Sequence, residues 1–182
     1  MFRRTRDGGV RTWLSDGEAE LLRACVTATI DLMAGDRKDR PRRTIIDDLE
    51  ELFAAGPDPQ VPSDPVLARL LPEGYRDDAD KAGEFRKYTE STLREAKKYF
   101  AQTVLDTLPE RGGAVRLTAD QARDWLRAIN DVRLALGVRL KVTEEFEDQL
   151  AALDPEDPRV ADFTAYGWLG AVLDSLLRAL NR

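Results

Sequence analysis

With 182 residues, 42% of them hydrophobic and 34% charged, the chain is long enough to bury one substantial core and too apolar to be disordered throughout. It has no histidine and one cysteine, Cys25, so Ser-His-Asp or Cys-His catalysis and an internal disulfide are excluded, and a zinc site would need carboxylates and one thiol. The net charge of -6 is uneven: residues 1–43 carry 10 Lys+Arg against 7 Asp+Glu and residues 44–182 carry 18 against 27, a balance that disfavours nonspecific nucleic-acid binding outside a local basic patch.

The chain opens with Met1-Phe2-Arg3-Arg4-Thr5-Arg6, which is basic but lacks the apolar stretch of a secretory signal. Residues 2–5 and 10–14 flank Asp7-Gly8-Gly9, a turn signal that predicts an antiparallel hairpin. Ser15-Asp16-Gly17-Glu18 is a capping box that opens a helix. Its predicted apolar face is Leu21, Leu22, Cys25, Ala28, Thr29 and Leu32, and Gly35 ends it. A polar loop follows, in which Arg37, Lys38, Arg40, Arg42 and Arg43 crowd five cations into seven residues. Thr44 caps a predicted short helix through Phe53, and a Pro/Gly-rich connection covers 56–62. Ser63 and Pro65 start another short helix that ends near Leu71-Pro72.

The longest helical pattern runs from about 77 to 108, with Phe85, Thr89, Thr92, Ala96, Tyr99, Thr103 and Val104 as its expected stripe, widened by Leu93 and Phe100. Pro109 closes it, and Gly112-Gly113 is a turn. Residues 114–117 read as a short third strand against the hairpin. Thr118-Ala119-Asp120-Gln121 is a second capping box, opening a helix with Ala122, Trp125, Ile129, Val132 and Leu136 on one face. A further short helix is expected over 143–153. Asp154-Pro155-Glu156-Asp157-Pro158 breaks the chain, and a final helix spans about 159–180, with Phe163, Tyr166, Leu169, Leu173, Leu176 and Leu180 apolar. No run of about 18 apolar residues offers a membrane span. The expected fold is mostly α: a single-domain helical bundle over 1–182 with a small N-terminal antiparallel β-hairpin.

Several residues stand out as candidate sites. Arg133 and Arg139 interrupt a helix that is apolar nearly all round, and a buried guanidinium needs a carboxylate, carbonyls or an anion. The structural expectation is an ion pair with Glu84, Asp131, Asp162 or Asp174. The functional one is an anion or partner site, with Arg86 and Asp131 in the same candidate set. Cys25 is expected as a buried thiol, or as a redox sensor if it is exposed with a lowered pKa. The cations at 37, 38, 40, 42 and 43 form either a solvated loop or a patch for DNA or an acidic partner, with Arg3, Arg4, Arg6 and Arg11 adding to it. Little aromatic interleaving accompanies that loop, which argues against single-strand stacking. The acidic clusters at 47–51, 77–80 and 144–148 fit first helical turns. Trp13, Trp125 and Trp168 are expected in the core. No metal or cofactor is implied.

Asp64-Pro65-Val66-Leu67-Ala68-Arg69-Leu70-Leu71-Pro72, Tyr75-Arg76-Asp77-Asp78, Glu84-Phe85-Arg86, the stretch from Asn130 to Leu140 and Tyr166-Gly167-Trp168-Leu169 occur in an order that resembles a family of small actinobacterial proteins. That family was long described as a domain of unknown function and is associated with an oxidative-stress transcriptional regulator. The resemblance covers nearly the whole chain, and 130–140 is its most specific part. It implies a cytoplasmic, non-enzymatic regulator of redox homeostasis that acts on cysteine-supply genes and partners an alternative sigma factor, with disulfide formation as the sensing chemistry. With Cys25 alone, sensing here would need an intermolecular disulfide, a sulfenic acid or another input. The leading expectation is regulation through protein contacts with a sigma factor or polymerase, leaving DNA binding and a homodimer open. The alternative, from the neighbourhood of family genes to that of a Clp adaptor, is a helical interaction module in regulated proteolysis. A carboxylate-based enzyme is the third reading.

Overall fold

A computed structural model describes residues 1–34, 62–72, 74 and 79–181. The basic loop at 37–43, the expected helix over 44–53 and most of the Pro/Gly connection lie outside those residues. The hairpin is present: strand β1 (Arg3–Arg4) pairs antiparallel with β2 (Val10–Leu14). Gly8 supplies the left-handed backbone of the turn, with φ of 84°, and the Thr5 N–H donates to the Gly9 carbonyl at 2.9 Å. The predicted third strand, β3 (Gly113–Leu117), adds antiparallel to β2, giving the order β1-β2-β3. Alternation along β2 and β3 buries Val10, Leu14, Val115 and Leu117 against the helices, and Phe2, just before β1, is buried with them.

Helix α1 (Asp16–Ala34) starts at the predicted capping box: the Ser15 N–H donates to Glu18 Oε2 at 2.7 Å and the Glu18 N–H donates to Ser15 Oγ at 3.3 Å. Glu18 also accepts from Trp168 Nε1 at 3.0 Å, which ties this cap to the last helix. The Ser15 N–H, then the Ser15 hydroxyl and Trp168, hold the Glu18 carboxyl below its ordinary pKa against the opposing effect of burial. The buried face of α1 is Ala19, Leu22, Val26, Thr29 and Met33, one residue round from the predicted face; Ala28 is exposed and Cys25 half-buried. Two stripes of equal spacing overlap in this sequence, and packing selects the one that carries Val26 and Met33.

Helix α2 (Pro65–Leu70) is capped by Asp64, not Ser63: Asp64 Oδ1 accepts from the N–H groups of Val66 at 2.7 Å and Leu67 at 3.3 Å. Val66, Leu70 and Leu71 bury with Met33 in a satellite cluster against Leu134, Ala135 and Val138. Helix α3 (Ala79–Thr107) departs from its predicted stripe. Phe85 and Tyr99 are 43% and 63% exposed, and the inward line is Arg86, Ala101, Val104 and the adjoining Leu108, with half-buried Glu90, Arg94 and Lys97 between them. A hydrophobic-periodicity reading cannot find a face whose first half is charged. Arg23 donates to the Pro109 carbonyl at 2.8 Å, so α1 also caps the end of α3.

Helix α4 (Ala119–Leu140) opens with the second capping box and closes at Lys141, which adopts the left-handed conformation at φ of 53°. It runs through the centre of the molecule and buries Ala122, Trp125, Ile129 and Val132 as expected; Ala128 is buried as well, while Leu136 of the expected face is half-buried. Trp125 is fully buried, donates from Nε1 to Thr107 Oγ1 at 2.8 Å and meets the Phe2 ring edge-on at 5.9 Å. Helix α5 (Phe146–Ala151) is short, and α6 (Arg159–Leu180) packs Phe163, Leu169, Val172, Leu176 and Ala179 inward. The Phe2 N–H donates to Ser175 Oγ at 2.6 Å and Arg4 Nη1 to the Leu180 carbonyl at 3.3 Å, fastening β1 to α6. No helix among the described residues is long and apolar enough to cross a membrane.

Candidate functional site

Two of the segments that carry the family resemblance, 130–140 and 166–169, meet at one place. Arg133 of α4 is half-buried, and its guanidinium carbon lies 4.3 Å from the centre of the Tyr166 ring on α6. Gly170, one turn on from Tyr166, lies against Arg133: a Cβ there would touch Nε at 3.4 Å, an ordinary contact. Gly137 makes room for the ring, since a Cβ there would stand 3.1 Å from Tyr166 Cε2. Phe146 from α5 packs against both Tyr166, at 5.1 Å, and Phe163, at 5.9 Å, completing an aromatic group under the cation.

The expected ion pair of Arg133 is not formed. Asp131 is taken by Lys97, Asp174 by Arg178, and Asp162 is exposed at the start of α6; the Glu84 side chain lies outside the described set. Arg133 Nε is buried without a hydrogen-bond partner, so the aromatic face is the main compensation for its charge. Arg139 is exposed in the last turn of α4, beyond the aromatic contact, where its charge also complements the helix terminus.

Between α3 and α4 runs an ionic seam. Lys97 Nζ meets Asp131 Oδ1 at 2.7 Å, with the two side chains 15% and 8% exposed. Burial pushes the Asp131 carboxyl above its ordinary pKa, and the Lys97 ammonium draws it part of the way back. One turn earlier, Arg94 pairs with Glu90 at 2.7 Å and donates to the Met33 carbonyl at the end of α1 at 3.0 Å. Arg86 lies 3.7 Å from Glu90 and is 6% exposed. Glu90, Arg94 and Lys97 are the members of this network outside the candidate set read from the sequence, which held Arg86 and Asp131. The signal for Lys97 was its position on the inward line that Ala101 and Val104 continue.

Cys25 is half-buried on α1. Burial, and next the negative charge of Asp162, push its thiol above the ordinary pKa, so the protonated form dominates at neutral pH. Among the described residues, no three His, Cys, Asp or Glu side chains gather closely enough to hold a metal ion.

The outward face of the sheet carries a second group. Arg3, Arg11 and Arg116 are cross-strand partners in register, and all three are exposed. Trp13, paired with Ala114 on the same face, is 71% exposed, not in the core. The correction was legible: in Val10-Arg11-Thr12-Trp13-Leu14 the period of a strand puts Trp13 with Arg11 and away from Val10 and Leu14. Arg11 and Arg116, with Asp7, Gln121 and the start of α4, also line a depression of about 400 Å³ at the edge of the sheet. The Thr5 hydroxyl first, and Arg116 more weakly, hold the Asp7 carboxyl below its ordinary pKa.

These features define a helical bundle capped on one side by a small, arginine-faced antiparallel sheet. The chain belongs to the family described as Domain of unknown function (DUF2017), whose model matches residues 1–180. It is 36% identical to proteins named oxidative stress regulator AosR in Mycobacterium tuberculosis and Mycobacterium bovis, the match covering 97% of this chain and 84% of theirs. It is 34% identical to a putative oxidative stress regulator AosR of Mycobacterium leprae, covering 93% of this chain and 82% of that one. No solved structure matches it. The similarity supports a role in oxidative-stress regulation.

Proposed function

We propose that the chain is a cytoplasmic, non-enzymatic regulator of transcription under oxidative stress, working as one domain mainly through contacts with a sigma factor or RNA polymerase. The observation that carries this reading is the near full-length match, at 36% identity, to proteins named oxidative stress regulators. The acidic balance of residues 44–182 favours protein contacts over broad tracking of nucleic acid. A thiol held protonated by burial and by Asp162 reacts slowly, so oxidant input through Cys25 requires either opening of α1 from its neighbours or a partner that supplies the second thiol.

The test is recovery of partners from native lysate on the immobilised protein, with and without peroxide. A transcription component whose capture changes with peroxide, and whose change is lost in Cys25→Ser, is the expected result. Capture of Clp components alone would transfer the protein to regulated proteolysis. A gel shift with promoter DNA, repeated at rising salt, separates direct DNA binding from protein contact.

A further inference from the structure

Three arginines stand side by side across the sheet without an ion pair, and only Arg116 feels a nearby carboxylate, that of Asp7. Arg3, Arg11 and Arg116 occupy adjacent strands in register, where neighbouring strands lie about 4.8 Å apart. Like charges directly opposite one another weaken a sheet. Asp7, at the rim beside Arg116, is the acidic group that lines the same edge. Among the described residues these three side chains make no ion pair, whereas Arg94, Lys97, Arg127, Arg159 and Arg178 each have a carboxylate. Two residues along β2 from Arg11, and on the same face, Trp13 lies open beside the small Ala114. Folding accounts for neither feature: the arginine row repels itself, and the indole leaves most of its surface in water.

We propose that this sheet face is a docking surface for an extended acidic segment of a partner protein, one with a carboxylate and an apolar side chain two residues apart. The spacing is the argument. Arg11 and Trp13 are separated by two residues of extended chain, roughly 6.7 Å, and a peptide laid along β2 in extended form repeats on one side at that same interval. A carboxylate then falls over the arginine row while the apolar side chain two residues on covers Trp13. Trp and Arg are also the side chains that most often dominate binding at interfaces. A nucleic-acid strand fits less well: it asks for successive stacking aromatics, and this face has one, backed by an acidic body that repels a long polyanion. The inference deepens the protein-contact reading by naming the surface and the chemistry of what it holds.

The probe is a short fluorescein-labelled peptide built from repeats of Glu-Ser-Leu-Ser, titrated with the full chain and followed by anisotropy. Binding is expected to weaken as salt rises and to disappear when Gln replaces Glu in the peptide. Trp13→Ala is expected to weaken it about tenfold, and Arg11→Ala and Arg116→Ala several-fold each. All three positions are exposed, and unchanged far-ultraviolet circular dichroism checks that each variant is folded. No peptide binding, or equal binding by the three variants, overturns the proposal. Tighter, Trp13-dependent binding of labelled oligothymidine overturns it in favour of nucleic acid. Self-association of the free protein that the same substitutions abolish overturns it in favour of a second copy. The peptide experiment contains no transcription component, so its failure leaves the lysate experiment to judge the regulatory role, and failure there leaves this surface assignment intact.

Discussion

Charge is handled in opposite ways on the two sides of this molecule. In the seam between α3 and α4, each cation has an answer: Lys97 has Asp131, and Arg94 has Glu90 and the Met33 carbonyl. On the sheet, Arg3, Arg11 and Arg116 are left to face one another. The seam shows what a fold does when charge has to be buried, because an unpaired ion in low dielectric is costly. The sheet shows charge that water and salt screen, and that folding has therefore not had to neutralise. Arg133 belongs to neither class. It is half-buried, it lacks a carboxylate, and an aromatic ring stands where the counter-ion would be.

The sharpest way to break this contrast is to remove one partner in the seam. Lys97→Met leaves Asp131 buried and unpaired, and urea denaturation should show a loss of about 3 kcal/mol. Adding Asp131→Asn should restore most of it. A loss below about 1 kcal/mol would mean that the pair is effectively solvated. Arg133→Met is expected to change stability by no more than about 1 kcal/mol, because the lost cation–π contact is offset by relief of the buried, unpartnered Nε. A loss as large as that of Lys97→Met would restore the ion-pair reading.

Cys25 asks whether the interior field reaches the thiol. Its native pKa is raised, so the protonated form is favoured by folding. Its contribution to stability is complete below the ordinary thiol value of about 8.5 and is lost as pH rises through the native pKa. Asp162→Asn removes a negative charge and should accelerate labelling of the native thiol by roughly two- to fivefold. An unchanged rate would assign the whole effect to burial. The smallest expected change lies on the sheet. Arg11→Thr relieves the like-charge row and should raise stability by about 0.2–1 kcal/mol at low salt, with the gain fading as salt is added. A loss of stability would show that the row is already compensated.

The parts of the fold that follow from local chemistry were legible in the sequence. Both capping boxes, the Asp7-Gly8 turn, the third strand and the break before α6 depend on residues within a few positions of one another. The parts decided by neighbours were not. On α1, the choice between the Cys25 stripe and the Val26 stripe rests on where α3 and α4 lie. On α3, the inward line starts with Arg86, Glu90 and Arg94, which no apolar template selects. At the candidate sites, the order of the family segments placed Arg133 and Tyr166 far apart in the chain, and only the pairing of α4 with α6 shows the ring beneath the guanidinium. Trp13 was misplaced for a different reason. Its size suggested a core residue, although the strand period had already assigned it to the open face.

The fastening of β1 to α6 has a kinetic consequence. The contact from the Phe2 N–H to Ser175 Oγ joins residues 173 apart in sequence, so it closes a loop that contains nearly every other element. Such closures are slow to form relative to the local helices and the β1–β2 hairpin. Arg3 meets Arg11 within that hairpin, and the row is expected to be complete only once the hairpin docks on β3 and α6. Loosening the last turns of α6, for example by Ser175→Ala, should raise hydrogen exchange at β1 before it is felt at β2 or β3. The edge of the sheet that carries Arg3 is in this way held in place by a helix distant in sequence.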